Sequence, residues 1–97
     1  MSRASPTKAL HVVVRGRVQG VGFRAFVANE AATRGVTGYV RNLDRSDELE
    51  AILCGAVDAV DELLGRLRTG PRSARVVGIE LTPLEPAPEY TGFDIRY

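Results

Sequence analysis

The sequence predicts an α+β fold in which two helices cover one face of an antiparallel sheet. Three observations carry this. Short β-branched runs and two amphipathic stretches follow one another in the order β-α-β-β-α-β, with one further strand at the C-terminus. Only a short polar turn separates the two central strands, which makes them a hairpin. At 97 residues the chain can build one thin core and no second lobe. The pattern is the ferredoxin-like split βαβ sandwich. That architecture hosts many activities, so it names none by itself.

Each element has its own signal. Leu10–Val14 (LHVVV) is β-branched and reads as the first strand. Leu10, Val12 and Val14 share one face; His11, Val13 and Arg15 share the other. The segment GRVQGVG follows as a loop with Gly16, Gly20 and Gly22. Phe23–Arg34 is a helix, because Phe23, Phe26, Val27 and Ala31 fall at i, i+3, i+4 and i+8. Gly35 stands where a left-handed C-cap is expected. Val36–Leu43 is the second strand and Leu49–Cys54 the third, joined through a polar turn at Ser46-Asp47. Ala56–Leu67 is the second helix, its stripe formed by Val57, Val60, Leu64 and Leu67 with Ala56 and Leu63 beside it. Glu62 and Arg66 are spaced for an i,i+4 ion pair, and Gly70-Pro71 ends the helix. Val76–Leu81 is the fourth strand, Thr82–Thr91 a loop with three prolines, and Phe93, Ile95 and Tyr97 alternate along a short last strand. Residues 1–7 read as a flexible N-terminus, and 8–97 as a single domain.

Composition excludes several classes of function. Thirteen Lys+Arg against twelve Asp+Glu leave a net charge of +1, which argues against a nucleic-acid or membrane-surface protein driven by bulk charge. An RNA-recognition module of the same strand order needs aromatic residues on its open sheet face, and the central strands offer only Tyr39. One cysteine, Cys54, rules out an internal disulfide and a Cys-clustered metal site. One histidine, His11, sits mid-strand and rules out a His-paired zinc site. No apolar run approaches the roughly 18–20 residues that span a bilayer, and the first residues lack the apolar core of a secretory signal. The expected compartment is the cytoplasm and the expected state a monomer. Cys54 is expected to be an inert buried thiol, and Pro83-Leu84-Glu85-Pro86 to be a loop despite its PxxP spacing.

Chemistry concentrates in Gly16-Arg17-Val18-Gln19-Gly20-Val21-Gly22-Phe23-Arg24. Gly20 and Gly22 allow backbone angles that turn successive N–H groups inward. Such a concavity beside a helix N-terminus binds an anion. Arg24, in the first turn of the helix, opposes the helix dipole, and an anion held between it and the loop would reverse that cost. A guanidinium also engages two phosphate oxygens at once. The spacing fits neither the Walker loop nor the dinucleotide fingerprint. The alternative is a plain strand-to-helix turn. A second segment, Gly38-Tyr39-Val40-Arg41-Asn42-Leu43, puts Asn42 on the core side with Val40 near a strand end. Its amide either caps the following turn or faces the loop and holds a water. Arg15, Arg17 and Arg41 flank these segments as charges that solvent can reach.

GRVQGVGFR, followed by GYVRN, resembles the acylphosphatase family. The likeness runs from about Ala9 to Tyr97 and takes in the Gly35-Val36-Thr37-Gly38, Arg68-Thr69-Gly70-Pro71 and closing GFDIRY segments. It implies a small α/β sandwich that hydrolyses acyl phosphates to carboxylate and inorganic phosphate, with no metal, no cofactor and no covalent intermediate. It implies Arg24 as the phosphate-binding arginine and Asn42 as the residue that positions water. Arg17, Val18, Gln19, Gly20 and Val21 would form the phosphate cradle. A second class of reading is a domain of this kind that binds a phosphoryl or carbamoyl-phosphate ligand without hydrolysing it. One departure stands out: the family's short Asp-Gly turn is replaced here by Asp44-Arg45-Ser46-Asp47-Glu48, which has no glycine.

Overall fold

The structure is a computed structural model that describes residues 6–97. Of the N-terminal stretch expected to be flexible, residues 1–5 lie outside the described part, while Thr7 already belongs to the first strand. The elements are β1 (Thr7–Arg17), α1 (Phe23–Arg34), β2 (Thr37–Asn42), β3 (Glu48–Ala56), α2 (Val57–Thr69), β4 (Arg75–Pro83) and β5 (Phe93–Arg96). Among the described residues no helix is long and apolar enough to cross a membrane.

One five-stranded sheet has the order β4-β1-β3-β2-β5. The first four strands pair antiparallel, as the βαββαβ reading requires. The added strand differs: β5 joins β2 in parallel, with Gly38 opposite Phe93 and Val40 opposite Ile95. The reason is geometric. β4 and β5 occupy opposite edges, about 19 Å apart at the usual strand spacing. The residues between them run from one edge to the other, tied to β1 by the Leu84 N–H on the Ala9 carbonyl at 3.0 Å and to β2 by the Gly38 N–H on the Gly92 carbonyl at 2.9 Å. They return antiparallel to β4, and therefore parallel to β2.

The strands run longer than β-branched runs alone mark out. β1 continues through Gly16 and Arg17 because its neighbours supply partners: Gly16 N–H meets the Asp47 carbonyl at 2.9 Å, and Arg17 stands opposite Arg75. Val12, Val14, Val40, Leu49, Ala51 and Leu53 fill the inner face of the sheet, with α1 and α2 packed over them through Phe23, Val27, Ala31, Val60, Leu63 and Leu67. Gly35 ends α1 in the left-handed conformation, φ 67°. Gly38 lets β2 approach β3: a Cβ there would lie 1.8 Å from the Ile52 carbonyl oxygen.

Two expected features of the surface differ. The i,i+4 pair of Glu62 and Arg66 is not made. Arg66 reaches Glu30 on α1 at 3.2 Å, and Glu62 faces Arg34 at 3.6 Å. Each side chain thus finds its opposite charge across the two helices instead of within α2. On the open face of the sheet, His11 holds Glu50 at 2.7 Å, and Arg41 and Tyr39 donate to the same carboxylate. His11 is thus a structural partner. Cys54 is buried and unpaired, and burial pushes its thiol pKa up.

Glu50 is only 7% exposed. Burial by itself would raise its pKa, but hydrogen bonds from His11 and Arg41 outweigh that and hold the carboxyl below its ordinary value. The folded state therefore takes up this proton at lower pH than the unfolded chain. The stability it contributes is present above the ordinary glutamate pKa and is lost as pH falls through the depressed one. Urea unfolding between pH 7 and pH 3 should show a steeper acid loss for the wild type than for Glu50→Gln. Parallel profiles would contradict this.

Candidate active site

The site is built where three elements end together. β1 finishes at Arg17, and the chain turns through Val18–Gly22 into α1. Gly20 and Gly22 have φ of 72° and 75°, and among the described residues every non-glycine keeps φ negative. The sign of φ thus alternates from Gln19 to Gly22, the backbone pattern that turns consecutive N–H groups into one concavity. Gly22 is the N-cap of α1, with no side-chain cap, and the first turn carries no acidic residue. Its first N–H groups have no partner within the helix.

A cavity of about 180 Å³ opens at this point, far more than the ~10–15 Å³ that admits one water. Val18, Gly20 and Gly22 line it from the loop, Phe23, Arg24 and Ala25 from α1, Asn42 from β2, and Ile95 and Tyr97 from the C-terminal strand. Arg24 is the one charged side chain among these residues. Its Nη1 donates to the Arg96 carbonyl at 3.3 Å, and its guanidinium carbon lies 4.5 Å from the centre of the Tyr97 ring. Two contacts at the end of β5, one on its last residue and one on the residue after it, therefore hold the cation at the cavity, with the face of the ring adding attraction. The Asn42 Oδ1 is buried and accepts no hydrogen bond. The following turn is closed by backbone bonds instead, Leu43 N–H to the Glu48 carbonyl and Glu48 N–H to the Arg45 carbonyl, both 3.1 Å.

The structure thus brings Arg24, Asn42, Val18 and Gly20 to one cavity. Other residues named from the sequence are placed differently. The Arg17 side chain is exposed on the strand, Val21 packs against the core, and the Gln19 carboxamide reaches away to the 43–48 turn. Arg15 is paired with Glu48 and Glu80, and Arg41 with Glu50, so their charges are spent on the open face of the sheet. Sequence reasoning placed Gly22 and Phe23 in the loop–helix segment and missed Ala25, Ile95 and Tyr97 as lining residues. A signal for the last two was present, since Phe93, Ile95 and Tyr97 share strand parity. What was not visible was the parallel pairing that carries them beside Asn42. Among the described residues no three His, Cys, Asp or Glu side chains gather where they could hold a metal ion.

A family model described as acylphosphatase matches residues 10–95. The chain belongs to the acylphosphatase family. It is 43% identical over 88 residues to an acylphosphatase of Caldivirga maquilingensis, covering 91% of this chain and 93% of that protein. It is 46% identical over 89 residues to an acylphosphatase of Azorhizobium caulinodans, covering 92% and 95%. The crystal structure of acylphosphatase from Bacillus subtilis superposes with a TM-score of 0.88 at 32% identity, over 93% of this chain and 99% of that one. The acylphosphatase motif GRVQGVGFR coincides with the end of β1, the loop and the first turn of α1. The glycine-free hairpin turn follows directly on Asn42, and Arg24 and Asn42 both line the cavity.

The loop conformation itself is testable. A Cβ on Gly22 would meet no atom within 4 Å, so only its left-handed backbone resists a side chain. Gly22→Ala should cost about 1–2 kcal/mol in chemical unfolding. Gly78→Ala, also in open space but at negative φ, should cost nothing measurable. Equal effects would remove the conformational argument.

Proposed function

We propose that the protein hydrolyses acyl phosphates to carboxylate and inorganic phosphate by direct attack of water, without a metal and without a covalent enzyme intermediate. One observation carries the reading. A single cavity is lined by Arg24, by the uncapped N-terminus of α1 and by Asn42, whose buried Oδ1 accepts no hydrogen bond.

The chemistry fits these parts. The leaving group is a carboxylate whose acid has a pKa of about 4, comparable to an Asp or Glu side chain. It departs without a proton, so no general acid is needed. Phosphoryl transfer depends on position and on stabilising charge at the equatorial oxygens. Arg24 and the N–H groups of the loop and first turn supply that stabilisation. Water attacks phosphorus, the bond from phosphorus to the acyl oxygen breaks, and the proton of the water passes to a phosphate oxygen. Asn42 does not take that proton at neutral pH. Its carbonyl oxygen accepts a hydrogen bond from the water and aims it.

The Asn42 acceptor also separates hydrolysis from mere binding. Leaving a buried acceptor unpaired costs about 1–3 kcal/mol. A module that only held a phosphoryl group would need the cation and the N–H groups and would have no use for this oxygen. In this reading the attacking water is the partner that satisfies it. The same parts fit phosphate monoesters poorly, because an alkoxide leaves only with a proton and the cavity offers no acid.

Three outcomes are expected with acetyl phosphate or benzoyl phosphate as substrate. Arg24→Ala should lose about 10²–10³-fold or more in kcat/KM, together with affinity for inorganic phosphate. Asn42→Ala should lose about 10²-fold in kcat while phosphate still inhibits with little change. Wild-type activity in Arg24→Ala, or an equal loss of turnover and phosphate affinity in Asn42→Ala, would overturn these roles. Turnover should be unaffected by a metal chelator, and inhibition by one would contradict the metal-free route.

A further inference from the structure

We propose that Gln19 is a positioning residue: by clamping the hairpin turn that follows Asn42, it sets the Asn42 carboxamide toward its water. The proposal rests on the role given to Asn42 above. Gln19 lies between two cavity-lining residues, Val18 and Gly20, yet its side chain does not enter the cavity. Its Nε2 donates to the carbonyls of Leu43, Arg45 and Glu48 at 3.0, 2.9 and 2.9 Å. Only the nitrogen end of a carboxamide can face three carbonyl oxygens, so the orientation is determined, and two protons are shared among three acceptors.

The contacts fall on the atoms that close the turn. The Glu48 carbonyl already accepts the Leu43 N–H, and the Arg45 carbonyl already accepts the Glu48 N–H. Gln19 takes a second lone pair on each. The turn needs this support more than a glycine turn would. It has no glycine and no residue with positive φ, so five ordinary residues must return the chain from β2 to β3. Gly16 adds one further tie, its N–H on the Asp47 carbonyl at 2.9 Å. Leu43, the first residue Gln19 holds, is bonded directly to Asn42. The Asn42 Oδ1 accepts no hydrogen bond of its own. Its position is therefore inherited from the backbone, which the ladder to β3 and the Leu43 N–H on Glu48 hold from one side and which Gln19 ties to the phosphate loop from the other. The phosphate loop and the water-aiming residue are thereby joined by one side chain.

The experiment uses the full chain and Gln19→Met, which keeps shape and removes the donors. With acetyl phosphate, kcat should fall roughly 10–100-fold, the scale expected of a small misplacement of a reacting group. KM and inhibition by inorganic phosphate should change less than about threefold, because Arg24 and the loop N–H groups remain. Added to Asn42→Ala, the substitution should have almost no further effect. A wild-type kcat, a matching loss of phosphate affinity, or losses that multiply with Asn42→Ala would each overturn the proposal. Should Gln19→Met fail to fold, Gln19→Asn, one methylene too short to reach the turn, carries the same expectations. Wild-type protein inactive on acyl phosphates would instead overturn the assigned reaction. The clamp is then read from the Asn42 side-chain amide resonances, which should shift in Gln19→Met and which, unmoved, would overturn it separately.

Discussion

A guanidinium in the first turn of a helix stands at the wrong end of the helix dipole. Arg24 accepts that position, and much of the molecule serves to keep it there. Among the described residues it has no carboxylate partner, and the first turn of α1 has no acidic residue to offset it. What holds it is the far end of the chain, through the Arg96 carbonyl and the Tyr97 ring. Neither contact neutralises the charge. The uncapped N–H groups of α1 and the Arg24 cation therefore present the same sign to the same cavity. An anion there stabilises both at once, and among the described residues no Asp or Glu side chain lines the cavity to supply one.

This constraint explains why the fifth strand matters. A βαββαβ sandwich is complete as a fold with four strands. β5 adds little core beyond Phe93 and Ile95, but it alone brings Tyr97 and the Arg96 carbonyl to the N-terminus of α1. Its parallel pairing with β2 also carries it to the strand end where Asn42 sits. Cation, helix terminus and amide thus meet because of one edge strand. Gly38 permits the close packing underneath, where β2 passes β3 with no room for a side chain.

The fold was legible because its signals are periodic and local. The Phe23–Arg34 helix is bounded by Gly22 and Gly35, each in the left-handed region, and both boundaries could be read from the letters. Strand ends were less legible, since β1 and β4 extend each other through ladder bonds that depend on the neighbour and not on the residues. Arg24 and Asn42 were legible because their motif is contiguous with the elements that place them. Tyr97 was not, since it reaches the site only through a pairing between strands that lie far apart in sequence. Gln19 was read as part of the cradle, and nothing in its neighbourhood along the chain says that its side chain turns to residues 43–48. The Glu62–Arg66 spacing was sound for an isolated helix. The tertiary alternative across α1 and α2 overrode it.

The charge balance of the chain takes on meaning from this arrangement. A net charge of +1 describes a molecule in which several of the cations are matched to carboxylates. Arg15, Arg34, Arg41, Arg45 and Arg66 each face a carboxylate. Those pairs lie on the open face of the sheet, at the hairpin tip and across the outer sides of the helices. At the cavity the matching stops: among the described residues no Asp or Glu side chain lines it. A carboxylate there would bind Arg24 and would repel a phosphoryl group, losing on both counts. Keeping the acids elsewhere leaves one cation available for a phosphoryl group. It also leaves the attacking water to an amide, whose neutrality lets it stand beside that group without repelling it.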